Sequence, residues 1–176
     1  MKKLTTLLLL LIVGCAVFAQ DYPALKRNEL KVNLPISIFA SYPEVDYEWI
    51  LNSDISVGAS VGFRASDDQE YPLKFSLTPH FRWFFGGSYA SMQKVAAGFF
   101  IELNSAVFTR DDVAYHTDGN YWRKKSNFGS GLGLALGWKY VSKNNWVGEI
   151  YLGGGRDFVN SDHGYARVGV SIGKRF

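Results

Sequence analysis

Apolar and polar residues alternate with a period of two along most of this chain, the period of strands with one face on each side of a sheet. Leu30, Val32, Leu34, Ile36 and Ile38 share one side of a first segment, with Lys31, Asn33 and Ser37 on the other. Val45, Tyr47, Trp49 and Leu51 then oppose Glu44, Asp46 and Glu48. After an Asn52-Ser53-Asp54 turn, Ile55, Val57, Ala59, Val61 and Phe63 oppose Ser56, Gly58, Ser60, Gly62 and Arg64. A polar loop, Ser66 to Glu70, precedes a fourth segment with Leu73, Phe75, Leu77, Phe81, Trp83 and Phe85 against Lys74, Ser76, Thr78, His80 and Arg82.

The second half repeats the pattern. After a connection opening with Gly86-Gly87-Ser88, Phe99, Ile101, Leu103 and Val107 alternate with Gly98, Glu102 and Asn104. Thr109 to Ser126 reads as a long polar loop. Beyond it Phe128, Leu132, Leu134, Leu136, Trp138 and Tyr140 face away from Gly129, Gly131, Gly133, Ala135, Gly137 and Lys139. Lys143-Asn144-Asn145 turns the chain into a seventh strand from Trp146, in which Ile150 and Leu152 oppose Glu149 and Tyr151. Asn160 to Gly164 turns it into an eighth, in which Val168, Val170, Ile172 and Phe176 oppose Arg167, Gly169, Ser171 and Arg175. The expected fold is all-β, an eight-stranded antiparallel up-and-down barrel.

A soluble barrel turns its apolar face inward and a membrane barrel turns it outward. An eight-stranded barrel has an interior only wide enough for side chains. The glycine-and-charge face suits that space, with Gly129, Gly131, Gly133 and Gly137 leaving room for long charged residues of other strands; the bulky apolar face does not. If the N-terminus lies in the periplasm, Trp49, Trp83, Trp138, Trp146 and Phe176 fall near one rim, as an interfacial aromatic girdle does. The short turns at 52–54 and 143–145 would then be periplasmic and the 109–126 loop extracellular, the asymmetry of bacterial barrels. A transmembrane barrel is therefore expected, with a soluble lipocalin-like binder as the alternative.

Composition modifies this picture at the N-terminus. Lys2 and Lys3, the apolar run Leu4 to Val13 and Val17-Phe18-Ala19 make residues 1–19 a cleavable signal peptide, leaving 20–176 as the barrel domain. The alternative is a lipoprotein leader, because Ile12-Val13-Gly14-Cys15 would make Cys15 a lipidated first residue. Cys15 is the only cysteine, so a chain starting at Gln20 has no thiol chemistry. Losing two lysines lowers the formal charge from +3 to +1, which removes an electrostatic case for nucleic acid. A mean hydropathy of −0.05 beside 16% aromatic residues fits a barrel whose lipid-facing and lumen-facing residues average out.

Candidate chemistry concentrates on the polar face. Asp46, Glu48, Arg64, Lys74, His80, Arg82, Glu102, Lys139, Glu149 and Arg167, with Glu44, Lys31 and Arg175, form a lumen charge set that reads either as an ion pathway or as a salt-bridged plug. The plug is expected, because charges in a narrow dry tube must pair. Ser76, His80 and Glu102 are the residue types of a hydrolase, but positions four apart on one strand are too distant for a direct bond. Ser161-Asp162-His163 are consecutive and read as a turn. Asp111, Asp112, His116 and Asp118 lack the spacing of a metal site. No catalytic residue, metal or cofactor is expected. Tyr115, Tyr121 and Trp122 beside Arg123, Lys124 and Lys125 are extracellular contact candidates for lipopolysaccharide phosphates or a surface partner, with an interface belt as the alternative.

Lys31-Val32-Asn33-Leu34, Asp46-Tyr47-Glu48-Trp49, Leu77-Thr78-Pro79-His80-Phe81-Arg82-Trp83-Phe84 and the glycine-rich tail to Phe176 resemble the small OmpA/OmpX-like barrels, and more narrowly a family of uncharacterised bacterial outer-membrane proteins. The resemblance implies the fold and the Gram-negative outer membrane, and no reaction. The terminal Phe176 resembles the signal read by the barrel assembly machinery. The expected function is non-enzymatic, structural or presenting loops to a ligand or partner, by a monomer among outer-membrane lipid and lipopolysaccharide. A barrel enzyme acting on envelope lipid, in the manner of a lipid A deacylase, is the alternative.

Overall fold

The computed structural model describes residues 26–65, 71–85, 95–114, 123–159 and 164–176, with only the backbone at 112–114 and 123–125. The expected leader, the loop at 66–70, the connection at 86–94 and the turn residues 160–163 lie outside the described residues. Eight strands close on themselves in sequence order: β1 (Asn28–Asn33), β2 (Glu44–Ile50), β3 (Ile55–Phe63), β4 (Leu73–Phe85), β5 (Gly98–Ala114), β6 (Arg123–Val141), β7 (Trp146–Asp157) and β8 (Gly164–Arg175). Every neighbouring pair is antiparallel, including β1 with β8, so this is the expected up-and-down barrel.

Its surface chemistry is inverted relative to a soluble protein. Leu134 is 60% exposed and Leu152 71%, whereas Glu29, Lys31, Glu48, Arg82 and Glu102 are all at 0%. Apolar residues outside and ionised ones inside make this a transmembrane barrel, since water would reverse both preferences. Trp49, Trp83, Trp138, Trp146 and Phe176 all point outward, at the end that carries the turns at 51–54 and 142–145. The 51–54 turn is set by its own side chain, with Asn52 Oδ1 accepting from the Asp54 N–H at 2.9 Å.

Three local expectations are corrected. The first strand does not run to Ile38. Pro35 has no N–H for a ladder, and its fixed φ suits a first helical turn. Leu34–Phe39 is accordingly a short helix, α1, with Pro35 in its first turn. The Thr109–Ser126 loop is mostly strand. The β5–β6 ladder continues from Thr109↔Phe128 to Ala114↔Arg123, so the hairpin outgrows its neighbours. Its residues look loop-like because most are polar, while the backbone ladder continues whatever the side chains. Residues 115–122 lie outside the described residues.

The lumenal glycines also differ from expectation. They make room mostly for aromatic rings rather than for charged chains. A Cβ on Gly137 would stand 2.4 Å from the Phe100 ring, on Gly129 2.4 Å from Phe108, and on Gly131 and Gly133 2.8 and 2.7 Å from Tyr165.

At the closure, a Cβ on Gly173 would lie 2.0 Å from the Leu30 carbonyl oxygen. Gly173→Ala is therefore expected to destabilise the barrel by ~1–3 kcal/mol through overpacking against backbone. Gly148→Ala, with nothing within 4 Å, should cost little. Urea unfolding in lipid vesicles compares the two, and equal midpoints would contradict the packing argument.

Candidate functional site

Strand parity aims one charged row of each wall at the barrel axis, and Glu48 lies where the rows converge. It accepts from Lys31, from Arg82 Nη1 at 2.6 Å, from Lys139 Nζ at 2.5 Å and from the Ser56 hydroxyl at 2.5 Å. Glu149 Oε2 accepts from Lys31 at 3.0 Å and from Arg82 at 2.9 Å. Toward the outer end, Arg82 Nε donates to Glu102 at 2.8 Å. Arg167 donates to Glu102 at 2.9 Å, to Glu44 at 3.2 Å and to the Ser60 hydroxyl at 2.9 Å. Toward the turn end, Lys139 and Arg175 both donate to Glu29, each at 2.8 Å. Arg82 also stands 4.6 Å from the Phe100 ring centroid, and Lys139 4.8 Å from that of Phe84.

In this network Glu29, Glu44, Asp46, Glu48, Glu102 and Glu149 face Lys31, Arg82, Lys139, Arg167 and Arg175, all buried. Opposite charges brought this close inside protein offset part of one another's desolvation cost, and Glu29, Glu44, Glu48, Glu102 and Glu149 each accept from two or more donors. His80 joins at its edge, with Nδ1 3.6 Å from Asp46. Asp46, Glu48 and His80 could offer metal-ligand atoms within 4.8 Å of one another. Their carboxylates already serve Lys31, Arg82 and Lys139, which a divalent cation would have to displace. Ser76 accepts from the Tyr42 hydroxyl at 2.7 Å.

Arg64 and Lys74 do not join this network, contrary to expectation. They sit at the outer rim, where Arg64 Nη1 and Lys74 Nζ each lie 2.9 Å from Asp111. A register shift between Leu73 and Phe75 moves Lys74 out of the lumenal row. Burial disfavours the Asp111 carboxylate, but hydrogen bonds from Lys74 and Arg64 outweigh it and hold its pKa below the usual range.

Between rim and network lies a cavity of about 220 Å³ at the outer mouth. Glu44, Ser76, Thr78 and Arg167 form its polar floor, and Tyr71, Pro72, Leu73, Ala106, Phe108 and Tyr165 its walls. Ile36 of α1 and Ala166 and Val168 of β8 line one side. Tyr165 is fixed there by its glycine cradle and by donating to Asn104 Oδ1 at 2.6 Å.

A family model described as "Protein of unknown function (DUF3575)" matches residues 5–171. The chain belongs to this family. No curated protein matches it in sequence. Among solved structures it is similar to the N-terminal β-barrel domain of Pseudomonas aeruginosa OprF, with a TM-score of 0.55 and 13% identity over 86% of this chain and 98% of that one. It is also similar to the Yersinia pestis outer membrane protein Ail, with a TM-score of 0.43 and 12% identity over 86% of this chain and 100% of that one. The OprF domain shares the fold of a small outer-membrane barrel, as the sequence resemblance implied.

Of the sequence-predicted lumen residues, Asp46, Glu48, His80, Arg82, Glu102, Lys139, Glu149 and Arg167 come together, and Arg64 and Lys74 do not. Glu29 was missed, although it stands two positions before Lys31 on the same face. Tyr42, Phe84 and Phe100, also buried, were missed as inward-facing residues because their bulk suggests the lipid face, whereas Tyr151 lies on the lumenal side with Glu149, where the alternation put it. Arg123, Lys124 and Lys125 lie in β6, opposite Ala114, Val113 and Asp112. Tyr115, Tyr121 and Trp122 fall outside the described residues.

Proposed function

We propose that this chain is a sealed outer-membrane barrel that carries out no catalysis and acts through its outward-facing end, on a ligand or partner at the cell surface. The observation that carries this reading is the combination of an apolar exterior with a lumen closed by buried, mutually paired charges. Such a lumen offers no water-filled path for solutes. The leader expected at residues 1–19 supports export, and the fold shared with the OprF domain supports the outer membrane as destination.

The aromatic rim is the periplasmic side in this proposal, and the β5–β6 extension projects from the cell. Arg123, Lys124 and Lys125 on that extension suit phosphate groups of lipopolysaccharide, because cation–phosphate hydrogen bonds are charge-assisted. The protein acts as a monomer, most of its strand edges being consumed by closure.

Single cysteines at Lys125 and Lys143 test the orientation. A membrane-impermeant maleimide should label the first on intact cells and the second only after the outer membrane is opened; the reverse pattern would invert the topology. In planar bilayers the protein should give no steady conductance. A sustained ohmic current would replace the plug with a channel.

A further inference from the structure

We infer that the outer-mouth cavity is a binding site for a single-chain amphiphile with an uncharged, hydroxyl-bearing head, entered sideways from the membrane between α1 and the outer half of β8. This deepens the proposed function and rests on the barrel spanning the outer membrane.

The doorway follows from the closure. Among the described residues β1 pairs with β8 over only five positions, from Glu29↔Arg175 to Asn33↔Ser171. Pro35 then turns the chain into α1, so the outer half of β8 loses its strand neighbour on that side. Asn33 Nδ2 donates to the Val168 carbonyl at 3.1 Å, satisfying one group of the freed edge. The cavity is lined by Ile36 of α1 and by Ala166, Arg167 and Val168 of β8, the two sides of the seam beyond the last β1–β8 pair. Ile36 forms the opposite lip, and beyond it α1 exposes Ile38 and Phe39, keeping this side apolar.

The occupant follows from the polarity. The charges lining the cavity are internally neutralised, with Arg167 paired to Glu44 and Glu102 and Arg110 to Asp157. A carboxylate head would meet Glu44 and an ammonium head would meet Arg167. A head that both donates and accepts, such as glycerol, is served by that ion pair together with the hydroxyls of Ser76 and Thr78. Ala106, Phe108 and Tyr165 above the floor suit the first carbons of a chain. The cavity, about 220 Å³, is smaller than the ~300–1,000 Å³ of drug-sized ligand sites. It holds a head and a short stretch of chain, and the rest of the tail passes the doorway into lipid. The ion-paired network below makes the site a dead end, so the ligand is held rather than conducted.

The test uses the complete barrel in phosphatidylcholine bilayers with a 1-monoacylglycerol carrying a diazirine near the ester. Adducts are expected on Phe108 or Tyr165, inside the cavity, and on Phe128, which lies on the outward face at the edge of the apolar band and reports ordinary lipid contact. Excess 1-monooleoylglycerol should abolish the cavity adducts and leave those on Phe128, whereas oleate should not. Ala106→Phe, which fills the cavity, and Ala166→Trp, which blocks the doorway from outside, should each lose the cavity adducts alone. If Ala106→Phe fails to give the heat-modifiable folded form, Ala166→Trp carries the test, being on the outward face. Adducts confined to outward residues would overturn the site. Cavity labelling that survives Ala166→Trp would overturn lateral entry, and equal displacement by oleate would overturn the neutral head. Missing Phe128 adducts would instead overturn the membrane reading beneath it.

Discussion

Glu48→Ala is expected to destabilise the folded barrel by about 3–5 kcal/mol, the usual cost of removing one partner from a buried ion pair. Lys31, Arg82 and Lys139 all converge on this carboxylate, so its loss leaves cations facing one another in a space without water. Glu48→Gln should cost less, since an amide oxygen still accepts hydrogen bonds, yet it leaves the charge uncompensated. The pair Glu48→Met with Lys139→Met should recover part of the loss. It removes one charge of each sign, and Glu29 keeps Arg175 as a partner. Replacing complete buried pairs by apolar residues is often neutral, whereas breaking them is not. Guanidinium unfolding in lipid vesicles, read by tryptophan fluorescence, gives the three values. An effect of Glu48→Ala within the ±0.5 kcal/mol typical of surface sites would show that the lumen is hydrated and the network is no plug.

Most of this network was legible in the sequence, for a physical reason. A strand's side chains have only two directions, so identifying one lumenal residue assigns its whole row. Lys31 implies Glu29 and Asn33, just as Arg82 implies Phe84. The errors arose where parity competed with another cue. Phe84 and Phe100 follow the lumenal parity of Arg82 and Glu102, but their bulk favours the lipid face. What admits them is the missing side chain opposite, as at Gly137 beside Phe100, and that pairing depends on a register between strands that no single sequence displays. Arg64 and Lys74 failed differently. Arg64 lies above the narrow part of the barrel, a height that parity does not assign, and beside Lys74 a register shift breaks the parity itself; Asp111 is the counter-ion of both.

The outer-mouth cavity was the least legible feature. It depends on α1 replacing the end of β1, and the alternation Leu34, Ile36, Ile38 continues the strand pattern through that point. Pro35 carried the contrary signal. A proline in a run of strand character demotes the run to an edge or ends it, and here it ends it, opening the wall beside β8.

Leu134→Arg is expected to cost about 2–4 kcal/mol, the price of a guanidinium near the bilayer midplane. The depth can be read from the strand itself. On β6 the outward row runs from Phe128 through Leu132, Leu134 and Leu136 to Trp138. At ~3.4 Å per residue and a tilt of roughly 40°, Leu134 lies about 16 Å below Phe128 and about 10 Å above Trp138. Together these distances match the ~25 Å apolar band of such barrels, with Leu134 near its centre. Its neighbours across the sheet are Leu103 and Gly154, so no carboxylate lies directly opposite to receive the charge. An arginine there can reach water only by thinning the bilayer or extending along the wall. Phe128→Arg, at the edge of the band, should cost about 0–1 kcal/mol, because the guanidinium reaches the headgroups. Equilibrium unfolding of both variants in the same phosphatidylcholine bilayers measures the difference, and spin labels give a second reading. Oxygen should relax labels at Leu77 and Leu134 more than labels at Arg82 and Glu102. Equal costs at Leu134 and Phe128, with equal oxygen access at all four labelled sites, would mean that the apolar face does not meet a membrane.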